Sequence, residues 1–459
     1  MQITIGGIPL EIFYLVELLV FIMLVFMVFK RPIYEAIALG FPFTIIMTQR
    51  YDLFWKFLIF PTTSSLFYII VTFLVLAYIL NQTRVVEKLI NLIISIFGGV
   101  PGGAGYVSLL GSSAMAMMSG TGPGNVAATG VFTIPAMIKT GYPRALAATT
   151  EMACSTLGNQ MGPGLNIVGF GILAGLYPNK YSLSTFWLAL WIVGGWLVLQ
   201  RVLFLIGFAK YYNLKPISKE DRPSFGKTLK EGWSSLLIPV IILLPLLMDS
   251  VMKTFVVSRL GEAGQKVFSG TLLMFVAGVA CVYAMYIGKE NIEGGFNLPS
   301  IMRLFKNTLK GVVPVSATIY FAYAISVVFK EIAMQEAVQK WFLSFGMGPV
   351  GWAVMVVIFT GFLGMVMPGS AQVAILGGAI ITTGAAVGLD PFVVAAVMPA
   401  ITGCMEGMTP PMALCMYAAM GIAKSGFNET AKLGYIWIAG HAVMAVILLL
   451  GILPIFVAH

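Results

Sequence analysis

The sequence predicts an all-α polytopic membrane protein made of two inverted repeats. Each repeat has scaffold helices, an amphipathic arm, a re-entrant hairpin and a broken transmembrane helix. Three observations carry this prediction. First, only 10% of the 459 residues are charged, 27 of them Lys or Arg and 18 Asp or Glu. Hydrophobic residues make up 59%, with a mean hydropathy of +0.94. A soluble domain carries about 25% charge and needs far more polar surface than this chain offers. Second, apolar runs of bilayer-crossing length recur along the chain. Third, Gly is in excess, 50 residues against roughly 32 at average usage, and many of these interrupt apolar runs in mid-course.

The apolar runs lie at 10–29, 33–48, 62–82, 183–208, 234–252, 266–287, 311–329 and 433–456. The first is a span rather than a cleaved signal, because no basic segment precedes Leu10 and Lys30 and Arg31 follow the run. The polar stretch 209–231 carries Lys210, Lys215, Lys219, Arg222, Lys227 and Lys230, and is read as a cytoplasmic linker. Walking outward from it puts 18 Lys and Arg inside and 8 outside, the bias expected of a correctly oriented chain. Both termini then face the periplasm of a bacterial or archaeal inner membrane. The net charge of +9 is thereby accounted for by topology, with no call for a nucleic-acid partner.

The walk closes only if two apolar regions do not cross. Residues 104–139 must enter from and return to the cytoplasm, and 349–387 must do the same from outside. Each is interrupted at its centre, by SGTGPGN at 119–125 and by MPGSAQ at 367–372. Both therefore read as re-entrant hairpins. An internal repeat follows. The first unit, 1–208, holds scaffold spans (10–82), an arm (84–97), the hairpin (104–139), a broken helix (144–177) and a closing span (183–208). The second, 232–459, repeats the order with scaffold 234–329, arm 330–345, hairpin 349–387, broken helix 391–424 and span 433–456. Each arm has charges on one face and Leu, Ile or Phe on the other, suiting a helix at the interface. The broken helices are interrupted at 155–164 and 406–411. Gly120 to Pro163 is 43 residues and Gly369 to Pro410 is 41. Inverted repeats with discontinuous helices are the sequence mark of secondary transporters.

Interrupting a helix inside a bilayer frees backbone N–H and C=O groups that lipid cannot satisfy. Exposed carbonyls favour a cation and exposed N–H groups an anion. Each half can thus build an oxygen-lined pocket for sodium. The candidate sodium ligands are Ser119, Gly120, Ser155, Thr156, Gly158 and Asn159 in the first half, and Gly369, Ser370, Glu406, Gly407 and Thr409 in the second. Ser119, Thr121, Asn125, Ser370 and Gln372 on the tips are the candidate substrate ligands. Two acids lie in apolar surroundings, Glu151 and Glu406. Each is a candidate coupling acid, as ion ligand or proton carrier, and Glu151 has a structural alternative in pairing with Lys139 or Arg144. Cys154, Cys281, Cys404 and Cys415 have no metal-ligand spacing and read as packing residues. With only His441 and His459, neither a transition-metal site nor a catalytic triad is expected, so the chain is not read as an enzyme.

The run VPGGAGYVSLLGSSAMAMMSGTGPGNVAATGVFTIPAMIKTGY (100–142) resembles the large membrane subunit of tripartite ATP-independent periplasmic (TRAP) transporters. LGMVMPGSAQVAIL (363–376) and EGMTPPMALCMYAAMGIA (406–423) carry the same resemblance. It implies sodium-coupled uptake of an organic acid or similar polar solute handed over by a periplasmic binding protein. It further implies a small four-helix membrane subunit, expected as a separate chain, and an elevator motion of the hairpin-bearing body. No cofactor is implied beyond the coupling sodium ions. The chain departs from the family pattern at Asn159 and Gln160, at Gly162, Pro163 and Gly164 where two adjacent prolines are usual, and at Glu406. An alternative is a stand-alone sodium- or proton-coupled anion transporter needing no binding protein.

Overall fold

The computed structural model describes residues 4–5, 8–162, 164–178, 180–365 and 367–456. Pro163 and His459 lie outside the described residues, as does the side chain of Ser119. The chain is mostly helical, and one short antiparallel pairing, Thr4–Ile5 with Ile8–Pro9, precedes the first helix. That pairing departs from the all-α expectation; two residues per strand leave no periodicity to read.

Four helices form the scaffold. Ser65–Gln82 packs against Lys253–Ile287 and Leu298–Glu331, and Leu298–Glu331 also packs on Ile33–Thr48. Leu298–Glu331 has 34 residues, about 51 Å at 1.5 Å per residue, well beyond a bilayer core of roughly 30 Å. Its first turns carry exposed Arg303, Lys306 and Lys310, which explains why the apolar run begins only near 311. Lys253–Ile287 bends at Gly261, whose φ of 70° is left-handed, so the apolar run begins beyond that bend.

The arms are helical over Val85–Phe97 and Met334–Leu343. Val85–Phe97 packs against the Gly103–Ser119 leg of the first hairpin, and Met334–Leu343 against the Gly369–Ala386 leg of the second. Phe225–Gly232, at the end of the basic linker, lies on the first arm. The linker is also tied to the first hairpin, where Lys139 Nζ is 2.6 Å from Asp221 Oδ1. Hydrogen bonding from Lys139 holds the Asp221 carboxyl below its usual range. Its contribution to stability is therefore present above the ordinary carboxylate pKa and lost as pH falls through the depressed value. Both side chains are solvent-exposed, so Asp221→Asn should leave the thermal unfolding midpoint at neutral pH close to that of wild type.

The two interrupted helices are interleaved. Arg144–Ser155, which opens the first, packs against Leu414–Ala423, which closes the second. Leu165–Leu176, which closes the first, packs against Pro391–Pro399, which opens the second. By length and composition five helices are long and apolar enough to cross a membrane, or six counting a bent pair, among the described residues. Two of these, Gly369–Ala386 and Pro391–Met408, are 78% and 89% buried inside the protein. They belong to the second hairpin and the second broken helix, which face protein rather than lipid.

The interruptions fall later than the sequence suggests. The first broken helix stays helical through Ser155 and again over Leu157–Met161, so the chain opens at Gly162 and Gly164. The second passes through a π-turn, Ala400–Cys404, continues over Met405–Met408 and opens at 409–413. Gln160 accounts for part of this shift: its amide bonds the carbonyls of Leu190 and Ala396, so this turn is held as helix by neighbouring helices.

Candidate functional site

The first tip turns at Gly120, whose φ of 64° is left-handed and favours glycine. A short helix, Gly122–Asn125, restarts beyond it. In the second hairpin, Pro349–Leu363 ends before Gly364, and Gly369–Ala386 restarts after Pro368. The two restarts meet their broken helices in the same way. Gly122 N–H donates to Asn159 Oδ1 at 3.2 Å. The Gly369 N–H lies near the carboxyl of Glu406. Asn159 and Glu406 thus play matching parts, one neutral and one acidic. Asn159 also reaches the other half, donating from Nδ2 to Gly403 O at 2.6 Å.

Both tips open on one cavity of about 360 Å³. Gly120, Thr121, Asn159, Gly369, Ser370 and Glu406 form its hairpin side. The scaffold supplies Tyr78 and Asn81 from Ser65–Gln82 and Thr318 from Leu298–Glu331. Most of the remaining wall is aliphatic, including Ile70, Leu74 and Ile319. A solute here would touch the hairpins and the scaffold at once.

The other candidate residues lie behind this wall. Asn125 and Gln372 are fully buried, each the fourth residue of its restart helix. Asn125 Nδ2 donates to Ser112 O at 2.9 Å and Ser155 O at 3.1 Å, and Gln372 Nε2 donates to Met367 O at 3.0 Å. In both, the amide oxygen has no hydrogen-bond partner. Thr156 Oγ1 is spent on Ala153 O at 2.8 Å and Thr409 Oγ1 on Met405 O at 2.6 Å. Gly158 presses on the first tip, since a Cβ there would lie 2.6 Å from Thr121 O, and Gly407 lies against Cys415 and Thr156. All four cysteines are free and buried.

Glu151 pairs with neither Lys139 nor Arg144, which corrects that alternative. Lys139 bonds Asp221, and Arg144 donates to Ala423 O at 2.8 Å. The carboxylate instead accepts from hydroxyls on both legs of the first hairpin and from its own helix. Ser108 lies at 2.7 Å, Thr129 at 2.6 Å, Ser155 at 2.8 Å and Ser112 at 3.3 Å, and Thr133 completes the set. Five hydroxyls thus satisfy its buried oxygens without a counter-charge.

Three features escaped the sequence reading. Asn166, the second residue of the helix after the first break, braces that break, its Oδ1 accepting from Gly164 N and Ile167 N at 2.9 Å each, and its amide donating to the Gln160 and Gly162 carbonyls. An Asn two residues beyond GPG was the available signal. Arg201, fully buried, donates to Ala153 O at 3.0 Å and approaches His441 Nδ1 at 3.1 Å. Because a guanidinium only donates, His441 accepts at Nδ1 and donates from Nε2 to Ala400 O at 2.9 Å. One buried cation and a neutral imidazole thereby tie the first broken helix to the second. Arg201→Leu removes this tie and should destabilise the purified protein by about 1–3 kcal/mol in a thermal or denaturant melt. The third feature, Tyr78, Asn81 and Thr318, sits on uninterrupted helices and carried no break to mark it.

The fold is similar to two solved transporters. The YdaH transporter of Alcanivorax borkumensis aligns with a TM-score of 0.62, 15% identity and 87% coverage of each chain. MtrF of Neisseria gonorrhoeae, titled an antimetabolite efflux pump, aligns at 0.61 with 13% identity, over 89% of this chain and 85% of its own. Interleaved broken helices and two tips around one cavity on this fold define a multi-pass membrane protein. The chain belongs to the family described as the tripartite ATP-independent periplasmic transporter, DctM component, whose model matches residues 3–455. It is similar to the sialic acid TRAP transporter large permease SiaM of Vibrio cholerae, 21% identical over 78% of both chains. The C4-dicarboxylate large permease DctM of the same organism is 22% identical over 80% of this chain and 79% of its own. The 2,3-diketo-L-gulonate large permease YiaN of Escherichia coli is 22% identical over 79% of both. The chain is thus a TRAP large permease, a family that takes up solute with a binding protein and a small membrane subunit.

Proposed function

We propose that this protein drives sodium-coupled uptake of a small polar solute of the organic-acid type or similar, received from a periplasmic binding protein. The observation that carries this reading is the single cavity walled by both tips and both broken helices on one side and by scaffold helices on the other. Such a site changes exposure when the hairpin-bearing body slides against the scaffold, which is an elevator motion. The inverted order of the two halves supports it.

Sodium would bind behind the tips. Asn125 Oδ1 and Gln372 Oε1 are unpartnered oxygens at matching positions, each aimed from an amide whose nitrogen is anchored on backbone. Neutral oxygen donors of this kind suit a hard monovalent cation. Binding there would hold each tip against its broken helix and so shape the cavity wall before the solute arrives. Asn125→Ala and Gln372→Ala should each raise the sodium concentration for half-maximal uptake at least about ten-fold, read in proteoliposomes. Unchanged sodium dependence in both variants would remove the ion assignment.

A further inference from the structure

We propose that Glu151 is a positioning residue for the first sodium site: its Oε1 fixes the three residues that aim the side-chain oxygen of Asn125. This rests on the transport reading above, which puts a cation on that oxygen, and adds the group that holds it in place. Asn125 Nδ2 donates to Ser112 O at 2.9 Å and to Ser155 O at 3.1 Å. Two carbonyls require a donor, so the amide nitrogen faces them and Oδ1 is turned the other way, buried and unpartnered. The backbone carbonyl of Asn125 lies 2.9 Å from Thr129 Oγ1. Asn125 is thus seated by Ser112, Thr129 and Ser155, one residue from each hairpin leg and one from the broken helix.

The hydroxyls of those same three residues converge on one atom. Thr129 Oγ1 lies 2.6 Å from Glu151 Oε1, Ser155 Oγ 2.8 Å and Ser112 Oγ 3.3 Å. Glu151 Oε2 serves a different pair, Ser108 at 2.7 Å and Thr133, each one helical turn further from the tip. One carboxyl therefore has two tasks: Oε2 ties the legs of the hairpin, while Oε1 reaches the seat of the tip amide. The backbone leaves the α-helical path at this point, since the π-turn Val126–Gly130 starts directly after Asn125 and carries Thr129. Such turns are uncommon and recur at functional sites. In the second half Gln372 is anchored within its own hairpin, on Met367 O at 3.0 Å. Asn125 is anchored on two elements, so its aim follows the fit of the hairpin against the broken helix. Groups that orient a metal ligand without touching the ion change its affinity about 10- to 100-fold when removed.

The test titrates sodium chloride against choline chloride at constant ionic strength and reads the thermal unfolding midpoint of the purified complex of this chain and its small subunit. Ser112→Ala with Thr129→Val removes two hydroxyls from Oε1, and Ser108→Ala with Thr133→Val removes the two from Oε2. Both pairs should lower the sodium-free midpoint. The first should also raise the sodium concentration for half-maximal stabilisation about ten-fold, and the second should leave it within about two-fold of wild type. Thr129→Ser in place of Val, which keeps the hydroxyl, should recover most of the loss. Equal sodium dependence in the two pairs, whether shifted or not, overturns the proposal. Asn125→Ala separates the two levels of the account. If it too leaves the sodium dependence unchanged, the ion site itself is absent; if it alone shifts, only the positioning role falls.

Discussion

Gly369→Ala should reduce uptake to a tenth of wild type or less. Gly369 opens the Gly369–Ala386 helix directly above the π-turn of the second broken helix. A Cβ there would overlap Gly403 Cα and backbone N and crowd Thr402 C. All three are backbone atoms, so no side chain can rotate aside. The tip must lift, and lifting moves Gly369 relative to Glu406 and reshapes the cavity wall they share. Overpacking of this kind costs about 1–3 kcal/mol, while a displacement near 1 Å at a binding site can cost about 100-fold in rate. Activity should therefore fall further than stability. Gly207→Ala is the control: it lies in the Leu183–Tyr211 helix, where an added Cβ meets nothing within 4 Å. It should melt as wild type or slightly higher and transport normally. Equal uptake by both variants would show that the tip tolerates a gap at this contact.

Glu151→Leu should be the most destabilising single change in the first half. Some of its donors have other acceptors within reach: Thr129 has Asn125 O at 2.9 Å, Thr133 has Thr129 O at 3.1 Å, and Ser112 has its hydroxyl neighbours. Ser108 would lose its buried acceptor outright, and Ser155 would be left sharing the Ser112 hydroxyl at 3.3 Å, a weaker acceptor. At about 1–3 kcal/mol for each unsatisfied group, the loss is on the order of 2–6 kcal/mol, measured by thermal or denaturant melting of the purified protein. Glu151→Gln keeps one acceptor oxygen and should fall between wild type and Leu. Because Ser108 and Ser112 lie on one hairpin leg and Thr129 and Thr133 on the return, the same carboxylate welds the hairpin to the broken helix. Wild-type stability of the Leu variant would mean that packing alone holds this hairpin.

The four interruptions were legible because Gly and Pro mark them in apolar runs, and the tips and broken helices do meet at one cavity. Their exact edges were not, because the turn around Asn159 and Gln160 is held as helix by partners as far away as Ala396 and Gly403. No local pattern announces a contact across some 240 residues. The same applies to Arg201 and His441, which are 240 apart in sequence. Glu151 is a different case. Its donors at 108 and 112, and at 129 and 133, are spaced four apart on each leg, a helical stripe of hydroxyls present in the sequence itself. These hydroxyls lie 18 to 43 residues from the acid, farther along the chain than Lys139 and Arg144, so the local pattern points to the bases first. The scaffold side of the cavity was hidden for a simpler reason: Tyr78, Asn81 and Thr318 look like ordinary polar residues on continuous helices.

The most direct measurement is uptake of the binding protein's own solute into proteoliposomes holding this chain and its small subunit. The account predicts accumulation that needs both the loaded binding protein and an inward sodium gradient, and that stops when either is withdrawn. Accumulation at the same rate with the sodium gradient collapsed, or without the binding protein, would contradict it.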